Sequence, residues 1–265
     1  ERLAKAGVPI KIMASPMIPA LTDHELERIV QAGADAGARA AMSISPRSTP
    51  LAICADVTEL SDVDRLIDRS LDAFGGIDVL HNNAGIHESM ISEDLSLETM
   101  SRETFEKVVG VNLTGVWLCA KYALPYLSDS ETASIINAGS TSSLSGYTQC
   151  QAYGASKGAV MQLTKMLAVD LAPDGIRVNC YCPGSIHTQI VDKFLEAAPD
   201  PQAMLNTMTL THLVPRMGQP VDVAELVCFL ASPESQFVNG AVWTIDGGSL
   251  AWRGTLDVLG MEAQA

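Results

Sequence analysis

Tyr153 and Lys157 stand four residues apart in a stretch of helical periodicity, so their side chains share one face about a turn apart. That spacing suits proton transfer. A phenol ionises near ~10 in water, and an ammonium close by favours the phenolate and lowers that value toward a working pH. Taken alone, a tyrosine with a lysine one turn later is more often an interfacial pair with a snorkelling ammonium. Here the pair has company. Ser140 follows the run Ser134-Ile135-Ile136-Asn137, Asn112 sits in Val111-Asn112-Leu113-Thr114-Gly115, and Asn82-Asn83-Ala84-Gly85 follows a run ending at His81. Each could be a cap or a turn residue. As an ordered set at successive strand ends they favour a ligand crevice at the carboxyl edge of a sheet.

The elements that must position them are legible in the periodicity. Residues 51–57, 77–81, 134–137, 177–181 and 241–245 read as short strands, and residues 63–74, 102–127, 153–171 and 221–230 as helices. The first of these helices closes at Gly75-Gly76, a left-handed exit. This alternation predicts an α/β fold: a doubly wound, mostly parallel, Rossmann-like sheet with helices on both faces. Earlier in the chain, residues 10–14 and 39–45 could be strands, and Thr22-Asp23-His24-Glu25 has the form of a capping box. The outline is a β-α-β unit, atypical because its turn, residues 15–21, contains no glycine. We therefore divide the chain into an atypical N-terminal segment, residues 1–48, and a catalytic region, residues 49–265, packed with it as a single domain.

The chain has 265 residues, 47% of them hydrophobic and 18% charged, with a net charge of -14. That charge repels phosphate backbones and anionic lipid surfaces, so neither nucleic acid nor a membrane is an expected partner. No apolar run reaches the length needed to span a bilayer. Six cysteines without a CxxC pair fit a reducing cytoplasm rather than a disulfide scaffold. Cys180 and Cys182 share a strand face, but no pattern of histidines or carboxylates completes a metal site around them. His81, His87 and His187 fall near strand ends; His187, between Ile186 and Thr188, is the one to test, although a loop histidine without catalytic duty is the plainer reading.

Residues 51 to 248 resemble a short-chain dehydrogenase/reductase. The motifs that carry the resemblance are Asp56-Val57, Asn82-Asn83-Ala84-Gly85, Asn112, Ser140, Tyr153-Gly154-Ala155-Ser156-Lys157, Pro183-Gly184 with Thr188, and Asp246-Gly247-Gly248. The resemblance implies an oxidoreductase that interconverts a secondary alcohol and a ketone by hydride transfer with NAD or NADP. It implies Tyr153 as general acid/base, Lys157 lowering its pKa and holding the nicotinamide ribose, Ser140 orienting the substrate oxygen, and Asn112 supporting a proton-relay water. It also implies Asp56 and Val57 near the adenine, Asn83, Ala84 and Gly85 along the adenosine ribose, and Ile186 and Thr188 on the carboxamide, with Pro183 and Gly184 leading into that loop. A homo-oligomer, dimer or tetramer, follows from the same resemblance.

The chain departs from that family at its start. The glycine-rich nucleotide turn is missing, and residues 2–42 instead resemble a barrel segment of a radical-SAM protein, without the cysteine triplet that binds its cluster. Arg47 would favour a 2′-phosphate if it lies past the second strand, and a solvated loop arginine is the alternative. Between Pro183 and Pro220 an apolar stretch matches the family's lid and hints at a hydrophobic substrate, or equally at packing. Two other readings remain: a relative that keeps the Ser-Tyr pair without a dinucleotide, as halohydrin dehalogenases do, and a catalytically impaired binding or scaffold protein.

Overall fold

A computed structural model describes residues 12–15, 40–44 and 51–261 of the chain. The expected helix at Thr22, the turn at residues 15–21 beyond its first residue, and Arg47 lie outside them. The strands are β1 (Ile12–Ser15), β2 (Ala40–Ile44), β3 (Leu51–Cys54), β4 (Val79–Asn82), β5 (Ser134–Ala138), β6 (Arg177–Pro183) and β7 (Val242–Ile245). They form one sheet in the order β3-β2-β1-β4-β5-β6-β7. From β1 through β4, β5 and β6 to β7 the pairing is parallel. β2 is the exception. It runs antiparallel to both β1 and β3, so the first unit is not the parallel β-α-β that its outline predicts. Both strands lie where the β-branched and small residues place them, but hydrophobic pattern alone carries no strand direction.

Seven helices accompany the described strands: α1 (Leu60–Phe74), α2 (Arg102–Val109), α3 (Gly115–Leu127), α4 (Gln151–Asp170), α5 (Gln189–Ala197), α6 (Pro201–Leu210) and α7 (Pro220–Ala231). α1 ends as its sequence predicts, at Gly75 with φ 73° and its N–H bonded to the carbonyl of Leu71. α2 and α3 are joined without a loop by a π-helical turn, Gly110–Thr114. By length and composition the stretch Arg102–Leu127 is apolar enough to cross a membrane, contrary to the expectation that no run qualifies. Val108, Val111, Ala123 and Leu127 along it belong to the sheet's buried core, the usual place for a helix of this composition in a globular protein.

Two apolar layers sandwich the sheet. One gathers Leu66, Leu80, Val108, Ala123, Leu127 and Ile135 under α1, α3 and α4; the other gathers Val79, Ile136, Tyr181, Val227 and Leu230 under α7. A buried polar chain crosses the first layer: Asn82 Nδ2 donates to Asn137 Oδ1 at 2.9 Å, Asn137 Nδ2 to Thr164 Oγ1 at 3.0 Å, and Thr164 Oγ1 to the Val160 carbonyl at 2.9 Å. Each partner is satisfied, so the chain fixes α4 in register against β4 and β5.

Helix α3 approaches the end of β3 closely because Gly115 has no side chain. A Cβ there would lie 2.6 Å from Cγ2 of Val57, which is itself 2% exposed. Gly115→Ala is expected to destabilise the fold by about 1–3 kcal/mol, the usual range for forcing a methyl into a packed core, despite the better helix propensity of alanine. Chemical denaturation of the two proteins measures it; equal stability would mean that Val57 gives way freely.

Candidate active site

The first turn of α4 meets the carboxyl ends of β4, β5 and β6, and the residues expected to do chemistry gather there. Tyr153 and Lys157 lie on α4 as the four-residue spacing requires, with Lys157 Nζ 5.7 Å from the centre of the phenol ring. The Ser140 hydroxyl faces the Tyr153 phenol and favours its ionised form. Ser140 caps the short turn after β5, accepting from Ser142 N at 3.1 Å, and is 7% exposed. A hydroxyl, a phenol and an ammonium are thus gathered at one edge of the sheet.

Burial decides the electrostatics. It pushes the Tyr153 phenol up to about 12; the bond from Ser140 opposes this, while Cys150, Glu88 and Cys182 add to it. Burial likewise pulls the Lys157 ammonium down to about 8, against the attraction of Cys180 and Cys182. Sequence reasoning expects the ammonium to lower the phenol's value. In the protein alone desolvation wins, because Lys157 Nζ donates to the Ala138 carbonyl at 2.7 Å rather than to the phenol. The resting phenol therefore carries its proton.

Asn112 sits in the π-helical turn, fully buried. Its Oδ1 accepts from Ile86 N at 2.8 Å, and its Nδ2 donates to the Ile86 carbonyl at 2.9 Å and to Ser156 Oγ at 3.0 Å. Both amide protons are committed, so the side chain clamps the loop after β4 onto α4. That differs from a side chain free to hold a relay water.

The residues expected around a cofactor divide into two groups. Asn83, Ala84 and Gly85 follow β4 at the same edge; Pro183, Gly184, Ile186 and Thr188 follow β6. Asn83 Oδ1 accepts from the Tyr181 hydroxyl at 2.8 Å, and that hydroxyl stands 2.8 Å from His81 Nε2. Tyr181 has one proton and spends it on Asn83, so His81 must carry its own on Nε2. Asp56 and Val57, at the far side of β1 and β2, turn inward: Asp56 Oδ1 accepts from Thr58 N at 2.9 Å and Thr58 Oγ1 at 2.7 Å, and Val57 packs on Gly115. The Asp56 N–H in turn donates to Asp62 Oδ2 at 2.8 Å.

A nicotinamide nucleotide fits the residues present. At Gly85 a Cβ would come within 3.3 Å of Lys157 Nζ and 3.4 Å of Asn112 Oδ1, so the absent side chain keeps open the space beside the ammonium. Lys157 makes one hydrogen bond among the described residues, leaving two protons for ribose hydroxyls. Thr188 begins α5 with a hydroxyl that makes no capping bond there, available to a carboxamide.

Two residues that sequence reasoning passed over or set aside also contact Tyr153. The His87 ring is 5.2 Å from the phenol ring and meets Phe194 of α5 edge-on at 5.1 Å. The histidine singled out by its place in the sequence, His187, is exposed and bonds Asp192 at 3.0 Å instead. Glu88, fully buried, reaches the backbone of α4 itself: its Oε1 and Oε2 accept from Ala152 N and Tyr153 N, each at 3.1 Å.

Comparison with known proteins agrees with this arrangement. The family model described as enoyl-(acyl carrier protein) reductase matches residues 23–249. Over 202 residues, 76% of this chain and 78% of the relative, the sequence is 39% identical to the 2-(R)-hydroxypropyl-CoM dehydrogenase of Xanthobacter autotrophicus. Over 206 residues, 78% and 77% of the two chains, it is 34% identical to the meso-2,3-butanediol dehydrogenase of Serratia marcescens. The NADP-bound structure of ElxO superposes with a TM-score of 0.66 at 34% identity, covering 74% of this chain and 77% of that one. The family match takes in much of residues 2–42, where β2 and β1 join the sheet, and the radical-SAM resemblance of that stretch has no support.

His81 gives the site a measurable acid sensitivity. Burial, with the Lys157 charge adding, lowers its pKa from 6.5 to about 4. A depressed pKa contributes stability above the unfolded value that is lost as pH falls through the folded one, so roughly 3 kcal/mol should fade between about pH 6.5 and 4. Denaturation curves across that window, compared with a His81→Gln variant, test this; identical slopes for the two would contradict it.

Proposed function

The chain belongs to the short-chain dehydrogenase/reductase family and is an NAD(P)-dependent oxidoreductase that interconverts a secondary alcohol and a ketone, and we propose that Tyr153 is its general acid/base. The observation that carries this assignment is the gathering of the phenol, the Ser140 hydroxyl and the Lys157 ammonium at the carboxyl edge of the sheet, with Lys157 Nζ 5.7 Å from the phenol ring. A substrate oxygen seated between the two hydroxyl groups receives two directed hydrogen bonds, and its proton has one place to go.

A bound nicotinamide dinucleotide supplies the hydride acceptor in oxidation and the hydride donor in reduction. In reduction, Tyr153 gives its proton to the developing alkoxide while Ser140 holds that oxygen. In oxidation, the phenolate takes the hydroxyl proton. The high resting value of the phenol favours the donor role, and oxidation gains as the pH rises or as positive charge enters the cleft. Lys157 binds ribose hydroxyls through its two remaining protons and supplies part of that positive charge. Asn112 keeps the loop after β4 seated. Asn83, Ala84 and Gly85 line the adenosine side, and Pro183, Gly184, Ile186 and Thr188 the carboxamide side; NAD and NADP both suit these contacts.

The substrate reading is a small secondary alcohol or its ketone, bounded by His87 and Phe194. The names of the two dehydrogenase relatives, a hydroxypropyl thioether and a diol, support that class. A cytoplasmic homo-oligomer completes the proposal, its self-association supported by Phe105, Trp117 and Met166, which stand 40%, 43% and 49% exposed on α2, α3 and α4. The catalytically impaired alternative is not favoured, since tyrosine, serine and lysine are gathered at one site.

Titration with NADH and with NADPH, followed by nicotinamide fluorescence, is expected to saturate with at least one of them. Tyr153→Phe should keep that binding and lose turnover of meso-butane-2,3-diol or another oxidised secondary alcohol by about 10²-fold or more. Turnover retained in the phenylalanine variant would remove Tyr153 from the chemistry.

Ser140→Ala should raise the pH at which oxidation reaches its plateau, because the hydrogen bond it removes is the one that favours the phenolate. A pH–rate profile of the two proteins checks the direction; an unmoved limb would mean that Ser140 does not contact the ionising group.

A further inference from the structure

Helix α4 lacks a cap of its own. Cys150 occupies the N-cap position with no side-chain bond to the first turn, although the orphan N–H groups of that turn are among the groups a buried helix end must satisfy. Gln151 is the first helical residue, so Ala152 and Tyr153 are the second and third. Those are the N–H groups that an N-cap side chain normally takes. Both are bonded instead by one carboxylate, Glu88, which reaches them from the loop after β4 at 3.1 Å each. Glu88 is 0% exposed. A carboxylate at that depth is tolerable because it faces two peptide donors, the positive end of a long helix and, at 3.8 Å, His87 Nε2.

We propose that Glu88 is a positioning residue for the reaction: its carboxylate replaces the missing cap of α4 and so fixes Tyr153 and Lys157 against Ser140 and the nucleotide loop. This deepens the proposed function and rests on it. The loop that carries Glu88 is itself clamped by Asn112 through both backbone groups of Ile86. The grip therefore joins three parts that must keep register: the loop along which the nucleotide lies, the π-helical turn, and the helix of the acid/base group. One bond falls on the peptide N–H of Tyr153 itself. A displacement of the first turn shifts the phenol directly, and a misplacement of about 1 Å in such a group costs on the order of a hundredfold in rate.

The charge on Glu88 acts on the same phenol. Facing Tyr153 are Lys157 and Cys150 on its own helix or cap, His87 and Glu88 from the loop after β4, Ser140 after β5, and Cys182 and Tyr181 on β6. Glu88 favours the protonated phenol, so neutralising it moves the phenol's ionisation to lower pH.

The test compares wild type with Glu88→Gln, of nearly equal shape without the charge, and Glu88→Asp, which keeps the charge but is one methylene too short to span both N–H groups. For both variants kcat with meso-butane-2,3-diol, or whichever secondary alcohol wild type oxidises, should fall roughly tenfold to a hundredfold with KM little changed. The rising limb of the pH profile should move to lower pH in Glu88→Gln and stay in place in Glu88→Asp. A purely structural defect would lower the plateau without that difference. Amide exchange at Ala152 and Tyr153 should quicken in both. Wild-type kcat together with an unmoved limb in Glu88→Gln overturns the proposal. If that variant does not fold, an unaltered kcat in Glu88→Asp overturns it. If wild type oxidises no secondary alcohol while binding nucleotide, the functional reading fails instead. Exchange then decides Glu88 separately, and unchanged rates at the two amides overturn its role.

Discussion

A phenol and an ammonium one turn apart on a helix can act on one substrate oxygen only if the first turn of that helix is held at the sheet's carboxyl edge. Hydrophobic contact alone does not supply that precision, because it is non-directional. In this chain the directional part comes from buried hydrogen bonds. Lys157 fastens the second turn to the Ala138 carbonyl, and the Asn82–Asn137–Thr164 chain fastens the middle of α4 to β4 and β5. Asn112 and Glu88 fasten its beginning through the loop after β4. Each bond joins groups that water would otherwise solvate, so breaking one leaves an unsatisfied partner in the interior.

These fastenings explain how much of the site could be read from the sequence. Tyr153, Lys157, Ser140 and Asn112 were legible because each stands at a recognisable boundary, the end of a β-branched run or the start of an amphipathic stretch. The element limits followed for the same reason; α1, for example, stops at the Gly75 that its sequence offers. The direction of β2 was not legible, since alternation reports which face is buried and says nothing of which way the strand runs. His87 was outranked by His187 because proximity in sequence to the carboxamide motif stood in for proximity in space. Glu88 was passed over as a site residue. Its signal was indirect: a helix that begins Cys150-Gln151, with no serine, threonine, aspartate or asparagine to cap it, must find its acceptor elsewhere.

The departures from simple sequence expectation share an electrostatic cause. Placing Tyr153 and Lys157 out of water to make a shaped cleft raises the phenol and lowers the ammonium, each toward its neutral form. The ammonium does not offset this in the protein alone, being anchored on the Ala138 carbonyl. The cleft is thus poised to gain from added positive charge, which a cationic nicotinamide ring carries. Glu88 pulls the other way. It raises the phenol further while it secures the helix, and the same carboxylate cannot do one without the other.

That opposition has a consequence for direction. A protonated phenol held high by burial and by Glu88 is a ready proton donor at neutral pH and a reluctant acceptor, so the protein's own groups lean toward carbonyl reduction. Oxidation must draw on what enters the cleft. Among the described residues Ser140 is the one whose contact favours the phenolate, which makes the serine more than an oriented hydroxyl. Burial sets most of that ionisation, with Ser140 lowering it and Cys150, Glu88 and Cys182 raising it before substrate and nucleotide add their own fields.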